Sequence, residues 1–280
     1  MGIVLGANNY GKAGNHLFKV VRATGRHEVR DYRVEVALTG GYDAVHTEGD
    51  NREVMATDTM RNSVYAVAKQ ESFDAPEEYG LRLVDHLLTQ PRVLGARVSV
   101  VEQRWDRIVV DGQPHEHSFT KASGGKHTAS VTGEGDQRKV GAGIDDLHVL
   151  KTTNSGWASF LEGGYRTLRD TDDRILATSI TASWDYREPR GDFGACWDGV
   201  HEQIGRTFTD HFSPSVQHTI WRMGQAVLER FEQIERVRFV LPNKHHILYD
   251  LAPFGLDNDR EIYWVTVEPY GRIEATVERD

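Results

Sequence analysis

Residues 57–88 decide the fold. They read Thr57-Asp58-Thr59-Met60-Arg61-Asn62-Ser63-Val64-Tyr65-Ala66-Val67-Ala68-Lys69-Gln70 and, after a break of three residues, Asp74-Ala75-Pro76-Glu77-Glu78-Tyr79-Gly80-Leu81-Arg82-Leu83-Val84-Asp85-His86-Leu87-Leu88. In the first stretch Met60, Val64, Val67 and Ala68 fall on one face at helical spacing. The second opens on an acid, a proline in the first turn and Glu77 three residues on, a helix-start signature. Tyr79, Leu83, Val84, Leu87 and Leu88 keep the same period. Two helices therefore follow each other, and Thr57-Asp58 stands as the N-cap of the first.

The flanks alternate with period two. Val34, Val36 and Leu38 alternate with Glu35 and Ala37, and Val98 and Val100 alternate with Arg97 and Ser99 in a run read to about Ile108. Gly40-Gly41 and Asp111-Gly112 are turn signals for hairpins. The stretch Ala122–Asp136, rich in Gly, Ser and Thr, reads as a long loop or extended hairpin.

The second half repeats the order. Strand-like runs cover roughly 138–153 and 174–187, helical runs roughly 193–211 and 214–234, and strands return at 236–251 and 261–278. Ser213-Pro214 is the helix start, and Val216, Ile220, Met223, Val227, Phe231 and Ile234 step at helical spacing. The chain is thus two blocks of strand pair, helix pair, strand pair, residues 1–137 and 138–280. Each block makes a four-stranded antiparallel sheet with two helices on one face, an α+β architecture. The other face of each sheet needs a cover or solvent.

Bulk properties narrow the function. The 280 residues carry 33 basic and 42 acidic side chains, a net charge of −9, which argues against nucleic acid as the main partner. Hydrophobic residues make up 39%, enough for a core. Cys196 is the one cysteine, so no intrachain disulfide forms and a reducing compartment fits. No apolar run reaches a membrane span. The start Met1-Gly2-Ile3-Val4-Leu5-Gly6 is no signal peptide, and Glu278-Arg279-Asp280 is no peroxisomal address, so a cytoplasmic enzyme is expected.

Common motifs fail. Gly141-Ala142-Gly143 lacks a third glycine, Gly124-Gly125-Lys126-His127 lacks the hydroxyl of a phosphate loop, and Gly-x-Ser-x-Gly is absent. His115-Glu116-His117 would put two imidazoles on one strand face, a possible chelate or a polar pair, while His245 and His246 point to opposite faces.

Five segments together carry a resemblance. They are Tyr10-Gly11-Lys12, Ala56-Thr57-Asp58-Thr59-Met60-Arg61-Asn62, Thr153-Asn154-Ser155, Ser215-Val216-Gln217 and Leu241-Pro242-Asn243-Lys244-His245. In this order and spacing the chain resembles the urate oxidase (uricase) family. The resemblance implies tandem tunnelling-fold repeats whose sheets close into a barrel in a homotetramer, with active sites between subunits. It implies oxidation of urate by molecular oxygen to 5-hydroxyisourate and hydrogen peroxide, with no cofactor and no metal. It implies a proton relay of Lys12, Thr57 and His245. It implies a substrate clamp of Arg174 and Gln217, backbone N–H groups from Val216 and Asp58, a contact from Thr57, and Asn243 on the oxygen side. Trp157 stands where many members have Phe and is expected to stack on the purine, with Phe160 as the alternative. Two other readings are a zinc-dependent tunnelling-fold pterin or purine enzyme and a purine-binding protein without catalysis. The first would need metal ligands, and Cys196 has no histidine pair near it in sequence.

Overall fold

A computed structural model describes residues 2–280, apart from the side chain of Val267. Met1, with which the leader reading begins, lies outside the described residues. The chain divides into two compact units, one running to Gly143 and taking in Asp185–Trp197, the other made of Ile144–Trp184 and Asp198–Asp280.

In the first unit strands β1 (Tyr10–Val21), β2 (Glu28–Gly40), β3 (Val93–Glu102) and β6 (Lys126–Glu134) form an antiparallel sheet, in that order, with the start of β7 (Gln137–Lys151) beside β6. Val36 pairs with Lys12 on one side and Val98 on the other, and Val98 pairs with Val131. Helices α2 (Thr57–Gln70) and α3 (Pro76–Leu88) bury Met60, Val64, Tyr79, Leu83 and Leu87 against Val34, Val36, Val98 and Val131. Each such side chain contributes about 1.5–3 kcal/mol by leaving water. Gly80 makes the close approach possible, since a Cβ there would lie 2.7 Å from a methyl of Val131. On the opposite sheet face Arg33, Glu35, Arg97 and Ser130 stay exposed.

Three expectations for this unit need correction. Gly40-Gly41 leads into a short helix, α1 (Asp43–Thr47), and not into a hairpin. The strand read to Ile108 breaks after Glu102; β4 (Trp105–Val110) and β5 (Gln113–Lys121) form a separate hairpin on the Asp111-Gly112 turn, both residues at positive φ. For residues 122–136 the structure takes the extended-hairpin alternative: 126–134 form a central strand that turns at 135–136 into β7, because His127, Ala129 and Val131 alternate inward despite the small, polar composition. Composition hid the period there. Asp74 does not cap α3 either: Ala75 holds the N-cap position, and the Glu78 carboxylate, not Glu77, accepts from the Asp74 N–H at 2.7 Å. Glu77 is buried on His127, 2.8 Å away.

In the second unit the rest of β7, then β8 (Leu176–Tyr186), β9 (Ile234–Leu248) and β10 (Tyr263–Glu278) lie in that order. Helix α5 (Val216–Arg230) packs Ile220, Met223 and Val227 on β9 and β10, and a Cβ on Gly224 would lie 2.4 Å from Val277. Helix α4 (Phe193–Thr209) starts in the first unit, where Cys196 is buried, and runs on into the second. The helical run to residue 234 ends early: Phe231 leaves helical geometry and Ile234 starts β9. No helix among the described residues is long and apolar enough to cross a membrane.

Candidate active site

The segment between β7 and β8 has no regular structure, yet it is tightly tied. Ser213 N donates to the Asn154 carbonyl at 3.0 Å, and Gly156 N donates to the Ser213 carbonyl at 2.9 Å. Asn154 takes positive φ, which asparagine tolerates, and its amide reaches the His211 carbonyl at 3.1 Å. Arg174 N donates to the Ser155 carbonyl at 2.9 Å, and its Nε to the Gly156 carbonyl at 3.1 Å. The guanidinium is thereby aimed with two terminal nitrogens that have no protein partner among the described residues. Burial draws the Arg174 pKa down, but an arginine this basic keeps its charge.

Helix α5 starts beside this segment. Ser215 is its N-cap, and its hydroxyl accepts from His218 N at 3.0 Å. This corrects the capping role expected of Ser213, which is buried and bonded to Asn154, Gly156 and Thr219. The N–H groups of Val216 and Gln217 then face outward from the first turn, where backbone donors and the helix dipole favour an anion.

Strand β9 supplies the remaining wall. Its register against β10 shifts between Thr266 and Gly271, so Lys244 stands opposite an excursion of the partner strand, flanked by Asn243 and His245. The result is a cavity of about 550 Å³, the size of a small-molecule site. Trp157, Arg174, Val216, Gln217, Asn243 and His245 all line it. Phe160 does not: it stacks behind Trp157, ring centres 5.4 Å apart and planes 16° off parallel. Leu168, Arg169, Thr171, Ile175, Lys244 and Ile273 also line the cavity and were not anticipated. Thr171-Asp172-Asp173-Arg174 is polar and irregular in sequence, the only available signal for part of that wall.

The other expected site residues belong to the first unit. Lys12 lies on β1 just before a bulge at residues 13–14. Thr57 opens α2, but Ala56 is the N-cap and no side chain caps that helix. Asp58 pairs with Arg61 at 2.7 Å. This unit has a cavity of its own, about 340 Å³, lined by Thr39, Arg97, Thr132 and Lys139 among others, without an aromatic wall. His115 and His117 contact each other edge to face, ring centres 4.5 Å apart, on the exposed β4–β5 hairpin.

A layered α+β chain with paired helices on antiparallel sheets, and a cavity walled by a flat indole, an arginine fork and a helix N-terminus, defines a tunnelling-fold protein. The uricase family model matches residues 8–132 and 140–274. Uricase of Arthrobacter globiformis is 42% identical over 99% of this chain and 91% of its own length, and that of Dictyostelium discoideum 35% identical over 97% and 96%. The crystal structure of the Arthrobacter globiformis uricase superposes with a TM-score of 0.95 at 41% identity, covering 100% of this chain and 96% of that one. A Bacillus sp. TB-90 urate oxidase structure, 19% identical with a TM-score of 0.85, shares the fold. The chain belongs to the uricase family.

Proposed function

We propose that this chain is a urate oxidase, converting urate, oxygen and water to 5-hydroxyisourate and hydrogen peroxide without a cofactor. The cavity that gathers Trp157, Arg174, Val216, Gln217, Asn243 and His245 in one place carries this reading. Urate gives up an electron pair; oxygen takes it with two protons and leaves as peroxide; the oxygen of water ends on the ring carbon. Triplet oxygen reacts slowly with most organic molecules, so the site must make urate electron-rich by removing a proton and must hold both reactants.

On this reading the Arg174 fork binds a planar edge carrying oxygen and deprotonated nitrogen, and the Gln217 amide binds the opposite edge. The Val216 N–H adds a donor to the anion. Trp157 offers its face to the ring. Asn243 holds oxygen above the ring, and His245 joins Lys12 and Thr57 in passing protons. The Asp58 N–H, free at the start of α2, completes the ring contacts. Lys12, Thr57 and Asp58 reach the cavity from a second subunit of a homotetramer, whose barrel closure covers the polar sheet face left exposed in the first unit. Residues 1–137 and 138–280 are the two repeats, and the single buried cysteine fits a cytoplasmic setting.

The test is loss of the ultraviolet absorbance of urate, with peroxide measured together, with and without chelator. One peroxide per urate, insensitive to chelator, is expected. Activity abolished by chelator and restored by Zn or Cu would favour the zinc enzyme instead. For the shared site, Lys12→Met and Arg174→Ala chains, each inactive alone, should regain activity when assembled together; a fully active monomer in sedimentation would refute it.

A further inference from the structure

Behind the indole wall lies a loop whose construction no site role yet explains. Trp157 and Thr171 exchange backbone hydrogen bonds, Trp157 N to the Thr171 carbonyl at 2.7 Å and Thr171 N to the Trp157 carbonyl at 2.9 Å. This bridge closes residues 158–170 into a loop. The loop has no apolar core: Leu161 and Tyr165 are fully exposed and Leu168 is largely so. It is organised instead around one cation. Arg166 bonds the Glu162 carboxylate, the Asp170 carboxylate at 2.5 Å and the Leu168 carbonyl at 3.2 Å. Asp170 in turn accepts from Ser159 N at 2.9 Å. The Arg166 side chain is only 19% exposed although Glu162 is 86% exposed.

The remaining face of the guanidinium lies on Phe160, 4.1 Å from the ring centre, and Phe160 is stacked on Trp157. Cation, phenyl and indole therefore form one column that ends at the cavity. Exposed ion pairs add little to stability, because water screens them and ordering long side chains costs entropy. A guanidinium held by three partners and laid on a ring does something else: it fixes a plane. The same loop lends Leu168 and Arg169 to the cavity wall.

We propose that Arg166 is a positioning residue for the purine site: through Phe160 it sets the plane of the Trp157 indole on which the substrate ring lies. This rests on the urate oxidase reading. Arg166 is not among the residues that line the cavity, so its loss acts on binding through the column and leaves the chemical step alone. Arg166→Met keeps the stem and removes the fork. It should raise KM for urate, and Kd for the unreactive analogue 8-azaxanthine by calorimetry, about fivefold, the scale of an aromatic contact. Its kcat should stay within about twofold of the parent, since binding and not proton transfer is disturbed. The tryptophan fluorescence change on analogue binding should shrink, and Arg166→Lys should restore part of the affinity. Phe160→Leu leaves the ion pairs in place and breaks the column, so it should match Arg166→Met, and the double variant should be no worse than the poorer single. Unchanged Kd in Phe160→Leu overturns the proposal even if Arg166→Met fails to fold. So does an Arg166→Met chain that loses thermal stability and kcat but binds normally. A parent chain that binds the analogue without oxidising urate breaks the functional reading and leaves the column testable through Kd; a parent that does neither overturns both.

Discussion

The two long helices that open beside site residues, α2 and α5, start in opposite ways. Helix α5 spends a hydroxyl on structure: Ser215 accepts from His218 N, and behind it Ser213, Asn154 and His211 lock the approach of the chain. Helix α2 has Ala56 at the N-cap and no capping side chain, although a threonine stands one residue later. Both starts leave the first two backbone N–H groups free, Val216 and Gln217 in one case and Thr57 and Asp58 in the other. The same local architecture thus carries a hydroxyl committed to a cap at α5 and one left uncommitted at α2, which on the proposed urate oxidase reading is the hydroxyl that passes protons. A hydroxyl committed to a cap stabilises; one left uncommitted can react.

That contrast predicts unequal losses. Thr57→Ala should cost the most activity, a fall in kcat of about 10² or more, the usual worth of a proton-transfer group, with the melting temperature almost unmoved because Thr57 caps nothing. A kcat near the parent value would show that the hydroxyl is idle. Next comes Arg174→Lys, where a point charge replaces a fork already aimed by its Nε bond to Gly156. The loss of a charged hydrogen bond is about 1.5–3 kcal/mol, or roughly ten- to hundredfold in KM, read from urate saturation curves. An unchanged KM would reduce Arg174 to a tie between loop segments. Ser215→Ala should do the reverse of Thr57→Ala: about 1 kcal/mol of stability lost by denaturant titration, with a smaller effect on rate.

The smallest effect is a pH dependence at the locked end. Burial holds the His211 pKa below its ordinary value; Lys151, His218 and Arg222 push the same way, and the bond to the Thr207 carbonyl opposes them. The folded state therefore prefers the neutral ring. Its stabilising effect is whole above the ordinary value of about 6.5 and is lost as pH falls through the lower folded value. Melting temperatures of the parent and His211→Gln should run parallel above that pH and diverge below it, the parent dropping faster. A constant difference from pH 5 to 8 would detach His211 from the acid limb.

Much of the architecture was legible because burial imposes a period. Met60, Val64 and Val67, or Ile220, Met223 and Val227, can face a sheet only if they recur at helical spacing, and Val34, Val36 and Leu38 only if they alternate. Where small residues replace large ones the period fades, and the sequence left residues 122–136 open between a loop and an extended hairpin; the structure makes 126–134 a central strand in a hairpin with β7. Cap positions slipped by one or two residues at 56, 75 and 215 because backbone geometry, not the nearest polar side chain, sets the helix boundary: alanines hold the N-cap of α2 and α3 beside Thr57 and Asp74, and at α5 Ser215 takes it instead of Ser213.

For the site, residue types in family order named Arg174, Gln217, Asn243 and His245, which the structure brings to one cavity. The sequence alone determined the chemistry on offer: a fork, an amide, an imidazole, a hydroxyl, a lysine, and helix starts that expose backbone donors. It left Trp157 and Phe160 as rivals, since both are aromatic and three residues apart. Tertiary structure decided that Trp157 lines the cavity and Phe160 backs it, and it enlisted Arg166, Leu168 and Thr171 from a loop with no periodic signal. The physical reason is range. Periodicity and capping are set by neighbours within a turn or a strand, whereas the order of a stack and the wall of a cavity depend on hydrogen bonds between segments some sixty residues apart, such as Gly156 with Ser213.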